Sequence, residues 1–444
     1  MIVKVNDAAT EDGTRAADVK QPERPKLRDI VGPGLITGAS DDDPSGIATY
    51  SQAGAQFGYG LGWTLLLTYP LMCAIQQISA DIGRVSGQGL AGNLRQQFPA
   101  WALYLLVGLL VVANVINIGA DLGAMAAALK LLIDGPSIVY VGLFAVASVL
   151  LEVFVRYSRY VTALKWMTLS LFAYVATAFV VHVPWPTVAI NLVYPHIVWN
   201  SAYLTTVVAV FGTTISPYLF FWQAGQEVEQ ADEDPHAEPL RTAPQQAPFE
   251  LARIRLDTYV GMAFSNLVAL FIVVTTAATL NASGITDIQT SSQAAEALRP
   301  LAGRFAFTLF SLGIIGTGIL ALPVLAGSAA YALGETFGWS VGLARTAKQA
   351  KAFYGAIAVA TAVGALMTVL SIDPIKALFW SAVLNGVVAV PVMIMILLLA
   401  SRQSVMGQFV IGRTLKFFGW LATAVMLAAT ASMFIAMFWQ PAAP

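Results

Sequence analysis

Asp43-Pro44-Ser45-Gly46 stands in the middle of an otherwise apolar stretch that runs from about Ile30 to Phe57. A proline removes a backbone donor and stops a helix from continuing through it. A glycine two residues on lets the chain turn freely. Asp41, Asp42 and Asp43 form a run of three acids at this point. Carboxylates at membrane depth are costly and face a cavity, a bound ion or a partner. A membrane helix broken here offers a carboxylate and bare carbonyls together, which is the chemistry of a cation site. The competing reading is a proline kink whose aspartate caps the helix that follows. A second interruption, Ile215-Ser216-Pro217, preceded by Thr213 and Thr214, favours the ion site. Asp43 is therefore the candidate ligand. Asp41 and Asp42 point in different directions on a helix. At most one of them shares the site with Asp43, and the remainder line an outer vestibule.

The elements that must position these residues are membrane spans. The chain is 57% hydrophobic and 11% charged, with a mean hydropathy of +0.70. A soluble domain carries about 25% charged residues. Hydropathy predicts eleven spans: 30–56 (broken), 59–83, 101–133, 136–155, 160–183, 201–231 (broken), 254–281, 304–333, 350–371, 375–400 and 412–438. The broken spans are the first and the sixth, so five spans separate corresponding positions. An odd repeat length inverts the second repeat relative to the first. The domain reading is a cytoplasmic tail at 1–28, a first repeat at 29–183, a second at 201–400, and an eleventh helix at 412–438 outside both.

The tail carries charges of both signs and no apolar core segment, so it reads as a flexible extension rather than a cleaved signal. With the N-terminus inside, all but Lys130, Arg299, Arg304 and Lys376 of the 24 Lys and Arg fall on the cytoplasmic side. The positive-inside rule thus predicts an inner (plasma) membrane protein with its N-terminus in and its C-terminus out. The polar, Pro-rich stretch 232–250 reads as a mobile cytoplasmic connector between the halves. Glu227 and Glu229 either line an inner exit for cations or form a solvated helix end. The single Cys73 excludes a disulfide framework and a thiolate metal cluster. Trp63, Trp101, Trp185, Trp199, Trp339, Trp420 and Trp439 fall at span ends, as an interfacial belt does. No phosphate-binding loop, nucleophile triad or basic nucleic-acid patch is present, so the sequence excludes an enzyme reading and a nucleic-acid partner. No obligate protein partner is implied; the bilayer is the one surrounding the chain demands.

Gly32-Pro33-Gly34, the Asp-Pro break and the run Ile47-Ala48-Thr49-Tyr50-Ser51-Gln52-Ala53-Gly54-Ala55-Gln56-Phe57-Gly58-Tyr59 resemble the first span of the NRAMP divalent-metal transporters. The likeness continues more weakly at Gly212 to Gln223 and at Ala120-Asp121-Leu122. It implies an all-α polytopic LeuT-type fold, with no resident cofactor and a transported divalent cation.

Departures from the family pattern bear on the ion. Where that pattern reads Asp-Pro-Gly-Asn and uses both Asp and Asn as ligands, this chain has Asp43 and Gly46. The family's carbonyl and methionine ligands of the sixth span fall at Thr213 and Ser216, so a sulfur has become a hydroxyl. Sulfur suits transition metals and oxygen suits Mg2+, which also holds on to its waters. The pattern is similar to the NRAMP-related magnesium transporters, a bacterial branch. Asn385 falls where the family places a Gln that completes the site.

The family's third-span Glu corresponds to Ala124, with Asp121 kept, and its sixth-span histidines to Tyr218 and Gln223. His196 and His236 fall in loops of the span map, and His182 stands at the end of the fifth span. A proton relay needs titratable groups inside the membrane, so uncoupled transport is expected. Asp121 is either a pathway residue or a structural carboxylate hydrogen-bonded within the bundle. The expected function is import of partly hydrated Mg2+, with Mn2+ as a further substrate, by alternating access. The alternatives are a proton-coupled Mn2+/Fe2+ symporter, a LeuT-type sodium-coupled amino-acid carrier, whose substrate carboxylate the three aspartates would repel, and a cation channel.

Overall fold

The computed structural model of the chain describes residues 33–155, 169–370 and 373–438. The tail 1–28, Gly32, Arg156, Arg159, Lys165, the first part of the fifth span and Trp439 lie outside the described residues. The described part is helical throughout. The first break separates α1 (Pro33–Asp41) from α2 (Pro44–Phe57). There follow α3 (Gly62–Ser86), α4 (Leu90–Gln97), α5 (Ala100–Lys130) and α6 (Ser137–Phe154). Next come α7 (Phe172–Val180) and α8 (Trp185–Val193). The second break separates α9 (Ser201–Thr214) from α10 (Pro217–Glu233). The chain ends with α11 (Ala247–Thr279), α12 (Ala306–Phe337), α13 (Lys351–Met367), α14 (Pro374–Ala400) and α15 (Arg413–Phe438).

Among the described residues, nine helices are long and apolar enough to cross a membrane, or ten if the bent pair Leu169–Val180 and Trp185–Val193 is one span. Each of the eleven expected segments still has a helical counterpart. The lower number arises because α2 runs into α3 through the single turn Gly58–Leu61, and because the fifth span is described only from residue 169.

Both expected breaks lie at a proline, and each proline opens the helix that follows. Pro44 occupies the first turn of α2 and Pro217 that of α10. The missing N–H costs nothing there, and the fixed φ suits a helix start. The polarity of the bundle is inverted relative to a soluble protein. Leu105, Val112, Leu143, Val359 and Leu366 face outward, whereas Asp41, Asp42, Asp43 and Asp121 are at most 1% exposed. Trp101, Trp185, Trp199, Trp339 and Trp420 are exposed, while the Trp63 indole donates to the Tyr203 hydroxyl at 3.1 Å.

The 232–250 stretch departs from expectation. It joins the sixth and seventh spans, within the second half, and it is tied down. The Leu240 and Arg241 amides donate to the Arg84 and Val85 carbonyls at 3.2 Å each. The Arg84 guanidinium donates to the Glu238 carbonyl at 2.6 Å. Leu240, Ala243 and Ala247 are buried. These few apolar side chains anchor a segment whose overall polarity suggests freedom.

Candidate functional site

The two breaks converge. A methyl group added to Gly46 would lie 3.2 Å from the Thr213 hydroxyl and 3.3 Å from the Asp41 carbonyl. From α10, the Tyr218 hydroxyl donates to Asp43 Oδ2 at 3.3 Å and approaches the Ser40 carbonyl at 3.5 Å. Each proline also frees the carbonyl four residues before it, which in an unbroken helix would accept that missing N–H. These carbonyls belong to Ser40 and Thr213. The Thr213 carbonyl instead accepts from the Ser216 hydroxyl at 2.9 Å, an interaction Ser216 shares with the Gly212 carbonyl. A carbonyl has two lone pairs, so one of Thr213's stays available to a cation.

Asp43 holds its two oxygens unequally. Oδ1 accepts from the Ser45 hydroxyl and the Gly46 amide, both at 2.7 Å. It is the N-cap of α2, so the capping reading holds. Oδ2 accepts only the longer bonds from Tyr218 and, at 3.2 Å, from the Asn117 amide of α5. The first oxygen fixes the carboxylate, and the second is the one positioned to meet a cation.

The other acids are arranged differently from the helical projection. The Ser265 hydroxyl on α11 faces both Asp41 Oδ2, at 2.6 Å, and Asp42 Oδ1, at 3.2 Å. Both carboxylates therefore turn to the same helix. α1 ends at Asp41, so Asp42 no longer follows helical geometry. Neither lines an open vestibule, because both are buried. The cavity of about 680 Å3 beyond the breaks is lined instead by Gln52, Gln56, Thr205, Thr206, Asp287 and Lys376, among others.

Asp121 has no hydrogen-bond partner on either carboxylate oxygen among the described residues. The structural alternative, a carboxylate hydrogen-bonded within the bundle, thus finds no support. Asn385 is buried with both amide atoms unpaired among the described residues. Its neighbour Gly386 lies against Gly212, where an added methyl would collide with the Gly386 backbone. This places Asn385 beside the end of α9. Gln223 is taken up elsewhere: it accepts from Gln76 at 2.6 Å and donates to Thr258 at 2.9 Å.

Glu227 lies further along α10 and is fully buried, so it is not a solvated helix end. Its Oε2 receives the Arg253 guanidinium at 2.5 Å, and Arg253 also meets Glu250 at 3.1 Å. Arg84 reaches Glu250 at 3.4 Å. Glu229 accepts from the Tyr331 hydroxyl and the Ala344 amide. Removing one partner of a buried ion pair strands the other, at a cost of about 3–5 kcal/mol. Arg253→Ala is accordingly expected to lower the melting temperature of the detergent-purified protein far more than Glu250→Gln, whose carboxylate is 21% exposed. Equal melting temperatures for the two variants would refute this ranking.

Sequence reasoning missed Asn117, Ser265, Ser40 and Asp257. Ser40 was findable, as the position four residues before Pro44. Asp257 accepts the Gly34 and Leu35 amides at 2.7 and 2.9 Å, closing the N-terminus of α1 from α11. No local signal marks it. Among the described residues, no group of three or more His, Cys, Asp or Glu side chains is placed to hold a metal.

The chain is similar to known transporters over nearly its whole length. It is 26% identical over 426 residues to a divalent metal cation transporter MntH of Aeromonas hydrophila, covering 94% of this chain and 98% of that protein. It is 27% identical over 316 residues to an MntH of Yersinia pestis, covering 69% and 72%. Among solved structures, a mutant of the Eremococcus coleocola manganese transporter superposes with a TM-score of 0.74 at 18% identity, covering 98% of this chain and 93% of that one. Mhp1, a nucleobase-cation-symport-1 family transporter, superposes with a TM-score of 0.55 at 15% identity, covering 92% and 93%. These likenesses carry the LeuT-type fold, with two inverted five-helix repeats, broken first and sixth helices and an eleventh helix. The model for the natural resistance-associated macrophage protein-like (Nramp) family matches residues 34–436, and with the paired breaks in place the chain belongs to that family.

Proposed function

We propose that this protein is a multi-pass transporter, not an enzyme, that moves divalent metal cations across the plasma membrane by alternating access. Its preferred cargo is partly hydrated Mg2+, and transport is not coupled to protons. The observation that carries this reading is the chemistry around Asp43 Oδ2. The side chains that reach that oxygen are Asn117 and Tyr218, and across the break the Thr213 hydroxyl lies beside Gly46, all offering oxygen or nitrogen. Ser216 adds a hydroxyl, and Gly46 adds no side chain. Hard oxygen donors suit Mg2+. The domain limits, which follow the spacing of the two breaks, and the orientation, N-terminus in and C-terminus out, which follows the charge asymmetry, belong to the same proposal.

A second reading is a proton-coupled Mn2+/Fe2+ symporter, favoured as far as the metal goes by the likeness to the Eremococcus coleocola manganese transporter. The two readings part on one experiment. Purified protein in liposomes is given Mg2+, Mn2+ or Ca2+ at fixed membrane potential, with a pH-sensitive dye inside. The expected result is Mg2+ uptake without acidification. A potential of 100 mV supplies about 4.6 kcal/mol to a divalent cation, twice the single-charge value, so no proton gradient is needed. Mg2+-dependent acidification would overturn the uncoupled reading. Absence of Mg2+ uptake alongside Mn2+ uptake would establish the manganese carrier.

A further inference from the structure

Asn117 sits in the middle of α5, fully buried, and directs its amide nitrogen at Asp43 Oδ2. Its own Oδ1 is also buried, and among the described residues it accepts no hydrogen bond. Buried polar atoms are normally paired, so this oxygen calls for an explanation. The position is rigidly held. One turn earlier, Asn114 donates to the Leu325 carbonyl at 2.9 Å and the Ser328 hydroxyl at 2.7 Å, both on α12. Further along, the Ser311 hydroxyl of α12 donates to the Ala128 carbonyl of α5 at 2.7 Å.

We infer that Asn117 is a specificity-determining residue whose Oδ1 accepts a hydrogen bond from a water bound to the transported cation. The inference deepens the magnesium reading above and rests on it. The geometry supplies the reason. Asp43 Oδ1 is committed to capping α2, so the cation is met by Oδ2 alone from that carboxylate. Waters on a cation direct their hydrogens outward and need acceptors. Gly46 has no side chain to provide one. The Asn117 amide offers both functions at one place. Its NH2 satisfies Oδ2 before the cation arrives, and its oxygen receives a metal-bound water afterwards. A partner of this kind favours an ion that keeps its waters, as Mg2+ does, over one that sheds them readily.

The test compares Asn117→Ala and Asn117→Asp with the unaltered protein in liposome uptake, using Mg2+ and Mn2+ separately. Size-exclusion elution and melting temperature establish that each variant is folded. Asn117→Ala is expected to raise the KM for Mg2+ by about 10-fold, as loss of a partner one shell out from a metal does, and to leave Mn2+ much less affected. Asn117→Asp keeps an acceptor oxygen but loses the donor. It is expected to retain the preference for Mg2+, which a purely structural amide bond to Asp43 would not allow. Two results would overturn the inference while leaving the magnesium reading intact. One is an unchanged Mg2+/Mn2+ ratio in a folded Asn117→Ala protein. The other is equal loss of preference in both variants. Failure of the unaltered protein to take up Mg2+ would overturn the magnesium reading and this inference with it.

Discussion

Asp43→Ala is expected to reduce divalent-cation uptake by more than about 100-fold, beyond the upper range for losing an indirect metal partner. The carboxylate does two jobs, and the test must separate them. Through Oδ1 it caps α2, and loss of a cap costs about 0.5–2 kcal/mol. Through Oδ2 it supplies the negative charge where the two breaks meet. Asp43→Asn keeps an oxygen able to accept from Ser45 and Gly46 but removes that charge. Both variants should lose uptake, and Asp43→Ala should melt lower than Asp43→Asn, because it alone loses the α2 cap. Liposome uptake and melting curves on the same preparations check both halves. Normal uptake by either folded variant would remove Asp43 from the ion site.

Ser216→Met is expected to reverse the order of preference among metals. It places a soft thioether where a hydroxyl now stands, and it frees the Thr213 carbonyl from its bond to that hydroxyl. Mg2+ uptake should fall, and Cd2+ or Mn2+ affinity should rise, each by on the order of tenfold. Isothermal titration with Mg2+, Mn2+ and Cd2+ measures the shift. The expectation fails if the unaltered protein already binds Cd2+ far more tightly than Mg2+, since a hard oxygen site would then not govern selectivity.

Much of the architecture was legible because it depends on local rules. Pro44 and Pro217 announce both breaks through a missing donor, and long apolar runs announce the helices between them. Asp43 was legible for the same reason: its effect on the chain acts within three residues, at the Gly46 amide. What escaped depends on contacts between distant segments. Asn117 is one polar residue in an apolar run, and its meaning lies in Asp43, 74 positions away. Glu227 read equally well as solvated until Arg253 was found against it. Asp41 and Asp42 were misplaced because helical projection was extended one residue past the end of α1. The 232–250 segment was misjudged because composition averages over its few apolar anchors.

The contact between α1 and α11 has one more consequence. Gly34 and Gly38 face Gly261 with no side chains between them; a methyl on Gly34 would come within 2.7 Å of the Thr258 amide, and one on Gly38 would run into the Gly261 backbone. Helices that meet through interlocked side chains must pull knobs out of holes before they separate. Here two bare backbones lie flush, as the faces of a plain bearing do. Under alternating access, a movement of α1 on α11 would have few apolar side chains to repack, and the hydrogen bonds of Asp257 and Ser265 across the joint would have to follow it or break. The same smoothness makes the joint intolerant. A single added carbon at any of the three glycines would force the two backbones apart.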